Sequence, residues 1–181
     1  NLNYDRWYGS IVRTAENHFI MVGGAKILHH EVLSQDRVSH IPEILTSNND
    51  GTLSWKILKE GESLELLGDM ENEGWSYPKF FLSSDGNPFG ISYNKLWVMD
   101  KKNNYRISKV GEIPLETGGI SEKIIHQNPN DEEDYKELTT LTIGAPVGDK
   151  GSAVMIAKDK ILFIGGQQKG VGYAASNKTI L

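Results

Sequence analysis

The chain has 181 residues, a net charge of −5 at pH 7 and no cysteine. That length suits one domain, and a hydrophobic content of 38% favours a packed core over disorder. Dispersed Lys and Arg argue against a nucleic-acid partner, no apolar run reaches membrane-spanning length, and the missing cysteine removes disulfide and zinc-thiolate chemistry from this span.

Short apolar runs and alternations bounded by Gly, Asn, Asp and Ser predict strands almost throughout. In chain order they fall at roughly 8–15, 18–24, 42–47, 53–58, 77–83, 87–92, 94–99, 104–109, 139–143, 151–157, 160–166 and 175–181. Residues 28–40, 59–74 and 117–138 are polar or glycine-rich and read as long connections, with a short helical turn expected within 119–138. Asn17 and the Asp85-Gly86 pair are turn residues that tolerate positive φ.

One layout recurs. Arg6-Trp7-Tyr8-Gly9-Ser10 leads into a strand, a polar turn at Asn17, and a second strand ending in Gly23-Gly24. Tyr77-Pro78-Lys79-Phe80 runs through Asp85-Gly86 into Phe89-Gly90-Ile91-Ser92. Ser152-Ala153-Val154-Met155 runs through Asp159 into Phe163-Ile164-Gly165-Gly166. Aligning the turns gives a period of roughly 70 residues, longer than the ~50 of a kelch repeat, with the excess falling in the long connections. Each repeat supplies about four strands, and a four-stranded sheet with two apolar faces must stack on neighbours. The fold expected is all-β: a partial kelch-type β-propeller with blades at roughly 8–58, 77–109 and 139–181, the last incomplete. Such an arc cannot close, and the chain starts at Asn1, so it is expected to be a piece of a longer protein.

Several groups invite sharper readings. His29-His30, with His18 and His40 nearby, suggests a metal, but adjacent strand residues point to opposite faces and no carboxylate stands at a ligand spacing. A solvated loop pair is the better reading, and His126 is isolated. Asp131-Glu132-Glu133-Asp134 lacks the alternating oxygens and glycine turn of a calcium loop. Gly165 to Gly172 lacks the Lys-Ser/Thr ending of a phosphate cradle. Trp55, Trp75 and Trp97 are expected to pack in the core or between blades. Asn177-Lys178-Thr179 fits a glycosylation acceptor, a triplet frequent by chance.

The Arg6-Trp7-Tyr8 lead-in, the Trp75-Ser76-Tyr77-Pro78 segment with Ser84-Asp85-Gly86-Asn87, the Lys95-Leu96-Trp97-Val98-Met99-Asp100 strand and the Phe163-Ile164-Gly165-Gly166-Gln167 exit together resemble the galactose oxidase and glyoxal oxidase family of kelch propellers. The resemblance implies a seven-bladed parent and a secreted copper radical oxidase. Such an enzyme oxidises a small aldehyde or primary alcohol with O₂ and releases H₂O₂. Tyr8 stands where the family has the tyrosine that is both a copper ligand and, cross-linked to a cysteine, the radical carrier. In the family's chemistry that radical takes hydrogen from the substrate carbon while copper takes the other electron.

By the same resemblance, the cysteine would lie upstream, and the Tyr-His pair and final histidine downstream, in the remaining blades. No Tyr-His pair occurs in this chain, so the segment supplies at most one ligand and is not expected to be active alone. Gly9 replaces the proline of the glyoxal oxidase branch, which leaves the substrate open. Arg6 and Trp7 are read as structural, clamping the start of the blade or lining the site wall. The alternative is a non-catalytic kelch scaffold whose rim loops bind a protein or a glycan.

Overall fold

The computed structural model describes residues 1–26, 37–69, 74–113, 123–124, 136–137, 151–165 and 179–181. It is all-β and built from antiparallel sheets. The first sheet holds β1 (Ser10–Arg13), β2 (Phe19–Val22), β3 (Glu43–Ser47) and β4 (Leu53–Ile57) in chain order. The second repeats the plan with β5 (Lys79–Leu82), β6 (Pro88–Ser92), β7 (Lys95–Asp100) and β8 (Arg106–Glu112). After a two-stranded ribbon of β9 (Lys123–Ile124) and β10 (Lys136–Glu137), β11 (Ser152–Ala157), β12 (Lys160–Ile164) and β13 (Thr179–Ile180) form a third sheet.

Three hairpin turns share one backbone solution. In Thr14–His18, Asn48–Thr52 and Ser83–Asn87 the first residue's N–H reaches the carbonyl of the fifth at 2.8, 2.7 and 2.9 Å. The fourth residue is left-handed in each: Asn17 at φ 64°, Gly51 at φ 80° and Gly86 at φ 81°. This is the three-residue loop whose last member must bend left to keep the strands in register, which is why Asn and Gly stand there. Asp159, in the third sheet's hairpin, is likewise left-handed at φ 55°.

Consecutive sheets meet through apolar faces. The row Val12–Ile20–Ile44 of the first sheet packs, with Val22, on Phe80, Trp97 and Met99 of the second. Ile91, Phe89 and Leu96 of the second sheet meet Phe163, Ala153 and Ile180 of the third. The opposite faces of the two end sheets are also apolar and carry exposed Ile11, Phe19, Leu53 and Ile57 on one and Val154, Ile156 and Ile164 on the other.

Trp97 is fully buried, lies opposite Gly90 across β6 and β7, and donates its indole N–H to Ser92 Oγ at 2.8 Å. The missing side chain at residue 90 makes room for that indole, and the hydrogen bond satisfies its one polar atom.

One expectation needs correction. The connection 59–74, expected as a polar rim loop, turns through Lys59–Gly61 into a one-turn helix α1 (Leu64–Leu67) that buries Leu66 and Leu67 in the first inter-sheet core. Ser63 caps it by accepting from the Leu66 N–H, and so short a segment gives no helical period to read. Within 119–138 the described residues, 123–124 and 136–137, pair as the β9–β10 ribbon, and the rest of that span, where the short helical turn is expected, lies outside the described residues. The strand expected at 139–143 lies outside the described residues.

The packing around Trp97 can be tested directly. A Cβ at residue 90 would sit 2.1 Å from Trp97 Cζ2, so Gly90→Ala must displace the indole. It should lower stability by about 1–3 kcal/mol, read as a lower urea midpoint at unchanged slope.

The carboxyls of Asp50, Asp85 and Asp159 are held below their ordinary range because each accepts hydrogen bonds, chiefly from the hydroxyls of Thr52, Ser83 and Ser84. The folded chain therefore binds fewer protons than the unfolded one, so this stabilisation is complete above ~4 and is lost as pH falls below it. Thermal unfolding should show a Tm steady from neutral pH to about 5 and falling below about 4, with a shallower acid fall in Asp159→Asn.

Candidate functional site

The segment preceding β1 is fixed by one buried ion pair. The Arg6 and Glu43 side chains are both inaccessible to solvent, with Nη2 3.0 Å from Oε1. All five guanidinium N–H groups are used. Nε and Nη2 donate to Glu43 Oε1, Nη1 donates to the carbonyls of Gly23 at 2.8 Å and Ser39 at 3.2 Å, and Nη2 also donates to the carbonyl of Ile41. Glu43 Oε2 accepts from the backbone and side-chain N–H groups of Asn3 at 2.6 and 2.7 Å. Burial draws the Arg6 pKa below its ordinary value, while the hydrogen bond and charge of Glu43 oppose that shift.

With Arg6 anchored, Trp7 bridges to Ala25: its N–H donates to the Ala25 carbonyl at 2.7 Å, and its carbonyl accepts from Ala25 at 2.8 Å. Gly23 and Gly24 lie where this segment and the approach to β5 converge. A Cβ on Gly24 would sit 2.8 Å from the Trp7 carbonyl, and one on Gly23 would sit 2.7 Å from the Trp75 carbonyl and from Pro78 Cγ. Both are left-handed, and the Gly24 N–H donates to Trp75 O at 2.7 Å. The glycine pair is therefore needed for close approach as well as for backbone freedom.

Tyr8 and Tyr77 occupy equivalent places, two residues before β1 and β5. Both are left-handed, at φ 63° and 47°, a strained state for a bulky residue that the surrounding bonds must impose. The Tyr77 N–H donates to the Tyr8 carbonyl at 2.8 Å. The two rings are stacked at a tilt, with centroids 4.7 Å apart and planes at 36°. Trp7 meets Tyr8 edge-on at 6.2 Å. Trp7, Tyr8 and Tyr77 remain 56%, 39% and 41% exposed, so three aromatic rings stand together at the surface of the described residues.

The other candidates lie apart. His40 Nδ1 lies 3.3 Å from the Val38 carbonyl, and its Nε2 lies 3.1 Å from Glu62 Oε1. The His18 backbone N–H donates to Thr14 Oγ1, as part of a turn. Trp75 and Trp97 are buried, whereas Trp55 is half-buried on the outward face of the first sheet. His29, His30, His126, Asp131 to Asp134, Gly166 to Gly172, Asn177 and Lys178 lie outside the described residues. An apolar cleft of about 210 Å³ between the second and third sheets is lined by Phe89, Ile91, Leu96, Ile113, Ile161 and Phe163. Asp159 stands at its margin with both carboxylate oxygens engaged by Ser84.

Among the described residues no three His, Cys, Asp or Glu side chains gather to hold a metal, and no helix is long and apolar enough to cross a membrane. Tyr8 offers one donor of the type copper(II) accepts, a phenolate, and the aromatic neighbour stacked on it is another phenol. That set is too small to hold a copper ion by itself. No protein-family model matches the chain, and no curated protein and no solved structure matches it either.

Sequence reasoning assigns no role to two members of this constellation. Tyr77 precedes its strand by the same two residues as Tyr8, so aligning the starts of strands rather than the turns would reveal it. Glu43 carries a signal of another kind, a carboxylate at the start of an apolar strand, whose partner only the fold can name.

Removing one member of the ion pair leaves the other buried and unpaired. Arg6→Leu should cost about 3–5 kcal/mol in urea unfolding, and Arg6→Leu/Glu43→Leu together should cost less than the single change. A double variant less stable than either single variant would contradict that account.

Proposed function

We propose that the chain is a run of successive blades from a kelch-type propeller of the galactose oxidase and glyoxal oxidase class, and that it contributes Tyr8 to a copper radical site. The observation that carries this reading is the placement of Tyr8: a partly exposed phenol in a strained backbone state, just before β1 and against the segment that leads into β5. Supporting it are sheets that run in chain order, pack face to face, and leave an apolar face outward at each end of the series. A recurring sheet that buries one face on its neighbour and still has an apolar face to cover is the behaviour of a blade.

In this reading the chain's own part is positional. The Arg6–Glu43 pair fixes the approach to β1, the glycine pair lets the segments before β1 and β5 close on each other, and together they hold the Tyr8 ring in place. Copper, when bound, supplies one of the two redox equivalents that oxidation of an alcohol or aldehyde requires. The imidazoles and the thioether cysteine would come from other parts of the polypeptide.

The test uses the complete polypeptide supplied with copper and a panel of small aldehydes and primary alcohols. Wild type should release H₂O₂ and show broad visible absorption, and Tyr8→Phe should lose both while keeping its circular dichroism. Peroxide release persisting in the variant would end the assignment.

One observation favours the second reading, a binding propeller without chemistry. Exposed Trp7, Tyr8 and Tyr77 make a platform of the kind on which a sugar ring stacks. A complete protein that takes up no copper yet retains glycan, and releases it on Trp7→Ala, would belong to that class.

A further inference from the structure

We propose that Tyr8 and Tyr77 are an oxidative cross-linking site, at which one-electron oxidants join the two rings as an intramolecular dityrosine. The inference requires no copper and does not rest on the oxidase reading. It stands on two exposed phenols whose centroids are 4.7 Å apart and whose backbones are tied by the 2.8 Å bond from Tyr77 N–H to the Tyr8 carbonyl. Exposure gives an oxidant access to both rings. The shared tether and the strained φ at both residues limit how far the rings can drift apart. Radicals held this close couple as an intramolecular pair, at an effective concentration no second protein molecule can match.

The chemistry balances with an external oxidant of the peroxidase class. Each phenol loses one electron and its hydroxyl proton to become a phenoxyl radical. A carbon–carbon bond then forms between the two ortho positions, and the hydrogens on those carbons shift to the oxygens as both rings regain aromaticity. Two electrons and two protons leave in total, reducing one H₂O₂ to two waters through the peroxidase. The product ties the segments leading into β1 and β5, and hence the first sheet to the second. Closing so long a loop restricts the unfolded chain and should raise the unfolding temperature of the linked form.

The experiment exposes the metal-free chain, at low concentration, to light with ruthenium tris-bipyridine and persulfate, then digests it. The expected product is a monomer with blue dityrosine emission and a linked peptide pair containing residues 8 and 77 that has lost two hydrogens. Tyr8→Phe and Tyr77→Phe should each abolish that pair, whereas Tyr93→Phe should leave its yield unchanged. The wild-type peptide map decides the question even where a variant folds poorly. Linkage only between molecules, oxygenation of Trp7 in place of coupling, or a linked monomer persisting in Tyr8→Phe would overturn the proposal.

Discussion

The buried Arg6–Glu43 pair is the constraint from which the candidate site follows. A guanidinium and a carboxylate removed from water cost several kcal/mol each unless every donor and acceptor finds a partner. Here the five N–H groups of Arg6 are all used: two reach Glu43, and the other three reach the carbonyls of Gly23, Ser39 and Ile41. Satisfying one charge thus fixes the end of β2, the approach to β3 and the run into β1 relative to one another. Trp7 and Tyr8 follow immediately, so their position is inherited from an interaction in which they take no part.

The same dependence extends into the second sheet. Gly24 gives its N–H to the Trp75 carbonyl, and Gly23 lies against Pro78, so the turn that ends β2 is also the seat of the segment leading into β5. Two tyrosines at corresponding places are brought ring to ring although β1 and β5 belong to different sheets. The turns at the opposite ends of the strands add a polar counterpart: Lys101 reaches Glu16 at 3.3 Å, and Ser84 binds Asp159. Apolar contact between the first and second sheets is therefore flanked at both strand ends by directional bonds, and that between the second and third by the Ser84–Asp159 bonds at the turn end.

Much of the strand pattern is legible in the sequence because it depends on short-range chemistry. Alternation and apolar runs mark the strands, and Asn17, Gly86 and Asp159 mark bends that need positive φ. The glycine pair is visible as a motif, though its reason, contact with Trp7 and Pro78, belongs to residues distant in sequence. The burial of Leu66 and Leu67 is hidden because polar neighbours and a single helical turn give no period. The partner of Arg6 and the stacking of Tyr8 on Tyr77 are hidden for a related cause. Each joins residues far apart in the chain, and no local pattern encodes which carboxylate or which ring will arrive.

The outward faces carrying Ile11, Phe19, Leu53 and Ile57 at one end and Val154, Ile156 and Ile164 at the other have a colloidal consequence. Surfaces of this kind attract one another more strongly as water warms from the cold, and they attract without directional selectivity. A solution of this span alone is thus poised for self-association that grows with concentration, and its apparent melting point is a property of the solution as much as of the fold.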